Sequence, residues 1–530
     1  MPTNRLPTPG QDSGNWGTML NGFLTQSLDN TNGGGINKFD TFSLRPTTLG
    51  ADDKGKTYLY TQTGNFHQWT GTEWKVLNES VINVKDYGAV GDGVSDDTAA
   101  IQSCLNDASK TNLFFPVGRY KISTITITKN NTNINGSGNF DGGTVFICTS
   151  TNGDNIVLDN CQQCLIQNIQ IVSVVVKNSG FALVLKNDCF ATLLNNIRID
   201  YGYNGIGIAG GTESKIINCQ LRYMFGNKGV YFGNDNGKSS YRAVIENLIA
   251  DNPYPVNYNQ IKTLGNSVAF SAGDIVLVNN KIWQCVQAGN STDNTSLFQI
   301  PNVPADQVSN TAIDDGGCKF KFVSGTMNWI FQDSLAYSLV ISKAALLNGY
   351  IGYSMNDTLN TSNSKPTWAF AWDLELDHNF YAGVLQDAGE GLYINGSWIG
   401  SCLNWNGILI EGSGELFVGG GTRIMGNAEH GVLINSGVNN KVSDCFIGAN
   451  SQKTNGQYNG ITVGANLSKF YLLNNKIGVL NGGGNTQKHG VFVNDGCTKY
   501  IISNNDLSEN ISPSQLGVAS GNIVINSNML

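Results

Sequence analysis

Residues 83–123 read NVKDYGAVGDGVSDDTAAIQSCLNDASKTNLFFPVGRYKIS. Asp96 and Asp97 stand just before apolar residues at Ala100, Ile101, Cys104 and Leu105, a spacing that predicts an N-capped amphipathic helix. LFFPVGRYKIS then reads as a strand broken by a turn. One short helix ahead of a very long strand-rich region is placed to plug an open end.

Downstream, Asn or an acid is followed three residues later by Ile or Leu, again and again. The pairs are Asn168 and Ile171, Asn196 and Ile199, Asn218 and Leu221, and Glu246 and Ile249; after a break come Asp444 and Ile447, Asn474 and Ile477, and Asn504 and Leu507. Successive starts differ by 28, 22 and 28 residues, then by 30 and 30. Such periods mark solenoids. A second pattern, Gly-apolar-any-apolar, recurs from Gly391, Gly407, Gly431, Gly460 and Gly490. Its two-residue alternation identifies strands rather than helical repeats. Stacked coils ~4.8 Å apart bury their apolar side chains inside and let turn Asn residues form amide ladders along the axis. A rod of this kind needs its ends closed, because unpaired strand edges invite aggregation.

The 83–123 stretch resembles the opening of the pectate-lyase-like right-handed parallel β-helix superfamily, where Asp-Tyr-Gly-Ala-x-Gly-Asp-Gly-x-x-Asp-Asp-Thr leads into a capping helix. The match here is Asp86, Tyr87, Gly88, Ala89, Gly91, Asp92, Gly93, Asp96, Asp97 and Thr98. The spacing of Asp86, Asp92, Asp96 and Asp97 suits turns and helix capping, so these acids are read as structural. PGQDSGNWGTMLNGFL, residues 9–24, resembles the short N-terminal motif of tail-fibre and tailspike proteins of bacteriophages and prophages.

The expected fold is therefore all-β, a right-handed parallel β-helix with an N-terminal capping helix, a small virion-side region and an inserted small β domain. Residues 1–80 form the attachment-like region, punctuated by Pro7, Pro9, Gly10, Gly14, Gly17 and Gly33 to Gly35. It includes a meander with Tyr58, Tyr60, Phe66, Trp69 and Trp74 as its core and Gly64 and Gly71 at its turns. Residues 81–125 are the lead-in and capping helix, 126–252 the first part of the β-helix, 253–325 the insertion, and 326–530 the second part. Pro253, Pro255, Pro301 and Pro304 and the loss of coil spacing mark the insertion. Its FSAGDIVLVNNKIWQCVQAG weakly resembles chitin-binding modules through Gly273, Asp274, Trp283, Gln284 and Cys285, although its aromatics are read first as core.

Composition agrees with a strand-and-turn chain: of 530 residues 64 are Gly, Asn is about as frequent, and only 14% are charged. A net charge of -8 leaves no broad basic surface for nucleic acid or anionic lipid. The N-terminus lacks a basic stretch followed by an apolar run, and no apolar segment is long enough to span a membrane, so neither a signal peptide nor membrane insertion is expected. Eleven Cys, with one CQQC at Cys161 and Cys164, are read as reduced and mostly buried. No cofactor fingerprint or metal motif is found, and none is expected to act.

The chemistry is expected in WAFAWDLELDHNFY, residues 368–381, where Trp372, Leu374 and Leu376 alternate with Asp373, Glu375 and Asp377. On a strand, alternation puts the three carboxylates on one outer face. Residues i and i+2 lie ~6.6 Å apart and adjacent coils ~4.8 Å apart. These spacings bracket the carboxylate separations of inverting and retaining glycosidases. Repulsion among clustered acids favours keeping one protonated as general acid. Glu411, outward beside inward Ile408 and Ile410, joins Asp373, Glu375 and Asp377 as a catalytic candidate. Glu390, His378, Tyr393, Trp398, Trp405 and Trp372 are candidates for substrate binding, and Glu415 flanks a neighbouring turn. His378 and His430 are read as positioning sugar hydroxyls or lying on the surface. Glu213, Glu246 and Asp333 enter if the groove lies between chains.

The resemblance implies a tailspike depolymerase, cleaving bacterial capsular or O-antigen polysaccharide, attached to a phage tail or baseplate through its N-terminus and assembled as a homotrimer. Glycoside hydrolysis leads. Lyase chemistry on a uronate needs cations, and Arg and Lys are thin around residues 368–415. A non-catalytic receptor-binding spike is the remaining alternative.

Overall fold

The computed structural model describes residues 37–529 apart from 78–80, 108–110, 253–260, 263, 280, 300, 302–306, 309–310, 362, 413, 479–486, 519–520 and 522. The tail-fibre-like motif, with Pro7, Pro9, Gly10, Gly14, Gly17 and Gly33 to Gly35, lies outside the described residues, as do Pro253, Pro255 and Pro304.

The described residues of 82–251 and 328–529 wind into a parallel β-solenoid. A thirteen-stranded sheet runs from Ile125–Ile127 to Ser512–Leu516, and a twenty-four-stranded sheet carries the other faces of the coils. Equivalent positions stack along the axis. Val230, Ile330, Tyr353, Val384, Ile408 and Val432 form one column of rungs, each at most 1% exposed. Parallel strands cannot close with hairpins, so each coil gains its stability by burying one inward column against its neighbours.

The helix Thr98–Asn106 buries Ile101, Cys104 and Leu105 against the first coils. Its Gln102 side chain both donates to the Thr126 carbonyl and accepts from the Thr126 N–H, each at 2.9 Å. A side-chain amide thus completes the backbone pairing of the sheet's first strand, which would otherwise present an open edge. The expected cap differs in detail. Asp97 is the N-cap residue, but its carboxylate accepts from the Val90 and Gly91 N–H groups, and Asp96 accepts from Thr98. Asp92 closes a turn on the Val94 and Ser95 N–H groups.

Asp86 holds the N-terminal four-stranded sheet to this lead-in. Buried, it accepts from Thr63, Asn65 and His67. The sheet's core is Phe39, Tyr60, His67 and Val76. Phe66, expected in that core, points outward and is 40% exposed, because strand alternation turns it away from His67.

The solenoid continues across the insertion without a slip. Lys228–Gly233 pairs with Asn328–Gln332, and Ser240–Glu246 and Ile249–Asp251 both pair with Ala336–Leu347. Between them stand a five-stranded and a two-stranded sheet. Trp283, Cys285, Phe298 and Phe320 are fully buried in a separate core, which leaves Trp283 no face for a sugar. This module packs on the solenoid through Phe322 against Phe225, and through Val323 beside Phe380 and Tyr350.

One detail of the repeat is corrected. Ile249 is 44% exposed while Ala250 is buried, so the fourth repeat starts at Asn247, not Glu246. Gly391 opens a strand of the larger sheet, whereas Gly407 and Gly431 precede strands of the thirteen-stranded one. All eleven cysteines, including Cys161 and Cys164, are free thiols and buried. Among the described residues no helix is long and apolar enough to cross a membrane.

Candidate active site

The repeated Asn is a corner. Asn168, Asn196, Asn218 and Asn247 hold left-handed backbone, with φ between 53° and 59°. Asn is the non-glycine residue that best tolerates this conformation, and its amide reaches along the axis. Asn196 donates to Asn168, and Asn247 to Asn218, each at 2.8 Å. Asp444, Asn474 and Asn504 resume the column farther on (φ 55° to 59°). On the four intervening coils the corner is taken by Lys343, Asp373, Gly396 and the pair Gly420 and Gly421, all with positive φ. At these coils the amide ladder is absent and two corners carry no side chain.

A groove of about 640 Å³ opens at this interruption, walled by Lys343, Asp373, Glu375, Asp377, Trp398 and Arg423, with Gly396 and Gly421 at its floor. Asp373, Glu375 and Asp377 all come from the strand Thr367–Asp377. Leu374 and Leu376 are buried beneath it, Glu375 points out, and Asp377 is partly buried. Rungs place Glu375 between Ala345 on one coil and Trp398 on the next, with Arg423 beyond Trp398. The small Ala345 leaves open the space beside the Glu375 carboxylate.

Alternation alone would turn Trp372 inward with Leu374 and Leu376, against its place among the substrate-binding candidates. It is instead 43% exposed, as are Trp368 (43%) and Phe370 (39%), while Ala369 and Ala371 are buried. The left-handed residue Asp373 breaks the alternation, so outward residues precede and follow the corner out of phase.

Asp377 is set apart electrostatically. Its Oδ2 lies 2.8 Å from His378 Nδ1, and its Oδ1 accepts from Trp398 Nε1 at 3.4 Å. Burial works against its charge, but hydrogen bonds from His378, Ser401 and Trp398 outweigh it and hold the carboxyl below its ordinary range. The same hydrogen bond raises the His378 imidazole above its ordinary value. Asp377 is thus kept ionised beside an imidazole that readily carries a proton.

The other candidates lie elsewhere. Glu411 ends the Ile408–Ile410 strand of the thirteen-stranded sheet, accepts from Asn435 at 3.1 Å, and stands among acids near Tyr381 rather than in the groove. Glu390 and Glu415 line a separate hollow. Tyr393 is stacked between Phe370 (5.2 Å) and Phe417 (6.0 Å), so both of its faces are occupied. Trp405 stacks on Tyr381 at 5.3 Å, with the Lys453 ammonium 5.9 Å from its ring. His430 accepts from the Asn459 N–H and sits 2.9 Å from the Thr462 hydroxyl, and burial lowers it to about 4. Asp333 is buried on Ser334, Thr358 and Tyr231. Glu213 pairs with Arg242, and Glu246 with Lys343.

Lys343 and Arg423 escaped the sequence reading, which found few cations around residues 368–415. They come from the coils before and after, one and two rungs from the acids.

A family model described as rhamnogalacturonase A/epimerase, pectate lyase-like, matches residues 81–294. That match covers less than half of the chain, and the fold that the chain shows is a parallel β-helix. Among solved structures, tailspike protein 3 of bacteriophage CBA120 is similar with a TM-score of 0.51 at 11% identity, over 86% of this chain and 63% of that one. The A-module of the Azotobacter vinelandii mannuronan C-5 epimerase AlgE6 gives a TM-score of 0.42 at 14% identity, over 84% and 98%. Among curated proteins, the plasmin and fibronectin-binding protein A of Streptococcus pneumoniae (strain ATCC BAA-255 / R6) is 39% identical over 64 residues, 11% of this chain. That match spans only 9% of the relative's length.

Proposed function

We propose that this chain is a tailspike depolymerase whose groove hydrolyses a bacterial surface polysaccharide, capsular or O-antigen. The observation that carries it is the replacement of the Asn corner by Lys343, Asp373, Gly396 and Gly421 where Asp373, Glu375 and Asp377 converge. Local rules broken together at one groove mark a functional site. Asp377, held ionised, serves as the base that activates water, and Glu375, one alternate strand position away, as the proton donor. Both side chains line the same groove, and an inverting glycosidase needs its two carboxyl groups far enough apart to admit that water. Trp398 and Trp372 supply apolar surface to the sugars.

β-Elimination is the second reading, and Lys343 favours it by bringing to the groove a cation of the kind it requires. Incubation with capsular and O-antigen polysaccharides from a bacterial panel separates the readings. New reducing ends without unsaturated-uronate absorbance support hydrolysis; both signals together identify a lyase. Binding without either leaves a spike that recognises sugar and does not cut it.

The same proposal places residues 1–80 at a phage tail or baseplate and the chain in a homotrimer on the virion. Phe370, Tyr393 and Phe417 form an outward aromatic column on one face, a surface suited to neighbouring copies. Mass by light scattering checks it, with a monomer as the contrary result.

A further inference from the structure

Arg423 is the groove residue that the cleavage chemistry leaves unused. Lys343, the other cation, has its ammonium 3.2 Å from Glu246 Oε1. No carboxylate among the described residues pairs with Arg423, although the chain carries a net charge of -8 and three acids share the groove. Its guanidinium lies 5.7 Å from the ring of Phe446, the residue on the next rung, which backs it from the side away from Trp398. An exposed guanidinium backed by a ring and left without an acid presents its fork of donors to a planar or tetrahedral anion.

Its position matters as much as its charge. Arg423 stands two rungs from Glu375, with Trp398 on the rung between. At ~4.8 Å per rung that separation is about 10 Å, comparable with two sugar units laid along the axis. Trp398 stacks on no other aromatic ring among the described residues and walls the same groove. It offers one sugar a surface on the path from the acids to the guanidinium.

Resting on the hydrolase reading, we propose that Arg423 binds an anionic substituent, a carboxylate or a phosphate monoester, on a sugar seated about two units from the bond being cut. The substrate is therefore an acidic glycan in which the charge sets the register of cleavage and takes no part in it. Elimination would require a carboxylate on the very sugar that loses its proton, beside Glu375 and Asp377 rather than two rungs away. Arg423 is accordingly a specificity residue.

The experiment uses the full-length protein and the polysaccharide it cuts in the panel assay. Three forms are compared: native, with carboxyl groups reduced by carbodiimide and borohydride, and with phosphate monoesters removed by phosphatase. On the native form, Arg423→Gln should raise KM tenfold or more while kcat changes less than threefold, and Arg423→Lys should recover part of the loss. One of the two treatments should bring the wild type down to the level of Arg423→Gln and abolish the difference between them, which also names the anion. A neutral cleaved polysaccharide, or an Arg423→Gln defect equal on charged and uncharged forms, overturns the proposal. If the protein binds but does not cut, the hydrolase reading falls separately. Retention in affinity gels then decides Arg423, with weaker retention of Arg423→Gln on the acidic form alone as the supporting result and equal retention as the contrary one.

Discussion

Asp373 and Gly396 occupy the same corner on consecutive coils, each in left-handed backbone with φ of 56° and 58°. One sends a carboxylate into the groove, and the other leaves it room. A Cβ at Gly396 would meet only the Gly420 carbonyl oxygen, at 3.7 Å.

Gly396→Asn therefore restores the residue type used at the other corners. The variant should fold and melt close to the wild-type temperature, since Asn tolerates the left-handed corner best of the non-glycine residues and its remaining strain offsets the ~1 kcal/mol gained by removing a glycine from the unfolded chain. Its amide would occupy the floor of the groove, and turnover should fall about a hundredfold through misplaced substrate. Thermal melts and reducing-end release measure both; full activity would show that the interruption of the ladder has no functional meaning.

The carboxylates should separate by location. Glu375→Gln and Asp377→Asn should each lower kcat by about 10²- to 10⁴-fold, Glu375→Gln without altering the melt and Asp377→Asn with a lower melting temperature because it breaks the pair with His378. Glu411→Gln, on the other sheet beside Asn435, should leave turnover unchanged. A loss at Glu411 equal to that at Glu375 would move the reaction out of this groove.

The Asp377 and His378 pair predicts a stability profile with two limbs. Asp377 is depressed in the folded state, so its contribution is present above the unfolded Asp value of ~3.9 and is lost as pH falls through the lower folded value. His378 is raised, so its contribution is complete below ~6.5 and is lost as pH rises through the folded value. His378→Gln should flatten the alkaline limb of melting temperature against pH, and an unchanged limb would show that the pair contributes nothing.

Inside the solenoid, Asn427 donates to Asn450, and Asn450 to Gln487, each at 2.8 Å and all fully buried. Asn450→Ala leaves donors and an acceptor without partners and should cost about 3 kcal/mol. The check is a lower denaturant midpoint at unchanged slope.

The solenoid could be read from the sequence because each coil repeats a local necessity: one left-handed residue, then an inward aliphatic such as Ile171 or Leu221. The groove could be read only where one strand carried it. Asp373, Glu375 and Asp377 are neighbours in the chain, whereas Lys343 and Arg423 reach them through rung pairing over intervals set by loop lengths. Glu411 shows the converse limit. It follows an inward pair just as a groove residue would, but deciding which sheet it faces requires counting corners. Trp372 was grouped with Leu374 and Leu376 by an alternation carried through Asp373, the residue that ends it, whereas its exposure is what its place among the substrate-binding candidates requires.

The insertion leaves from Asp251 and the chain rejoins at Asn328, on rungs that pair as neighbours would in an unbroken coil. A segment whose two ends are clamped in that way behaves as an exchangeable cassette. Its length can change at little entropic cost to the rod, provided that Phe322 and Val323 still cover Phe225, Phe380 and Tyr350.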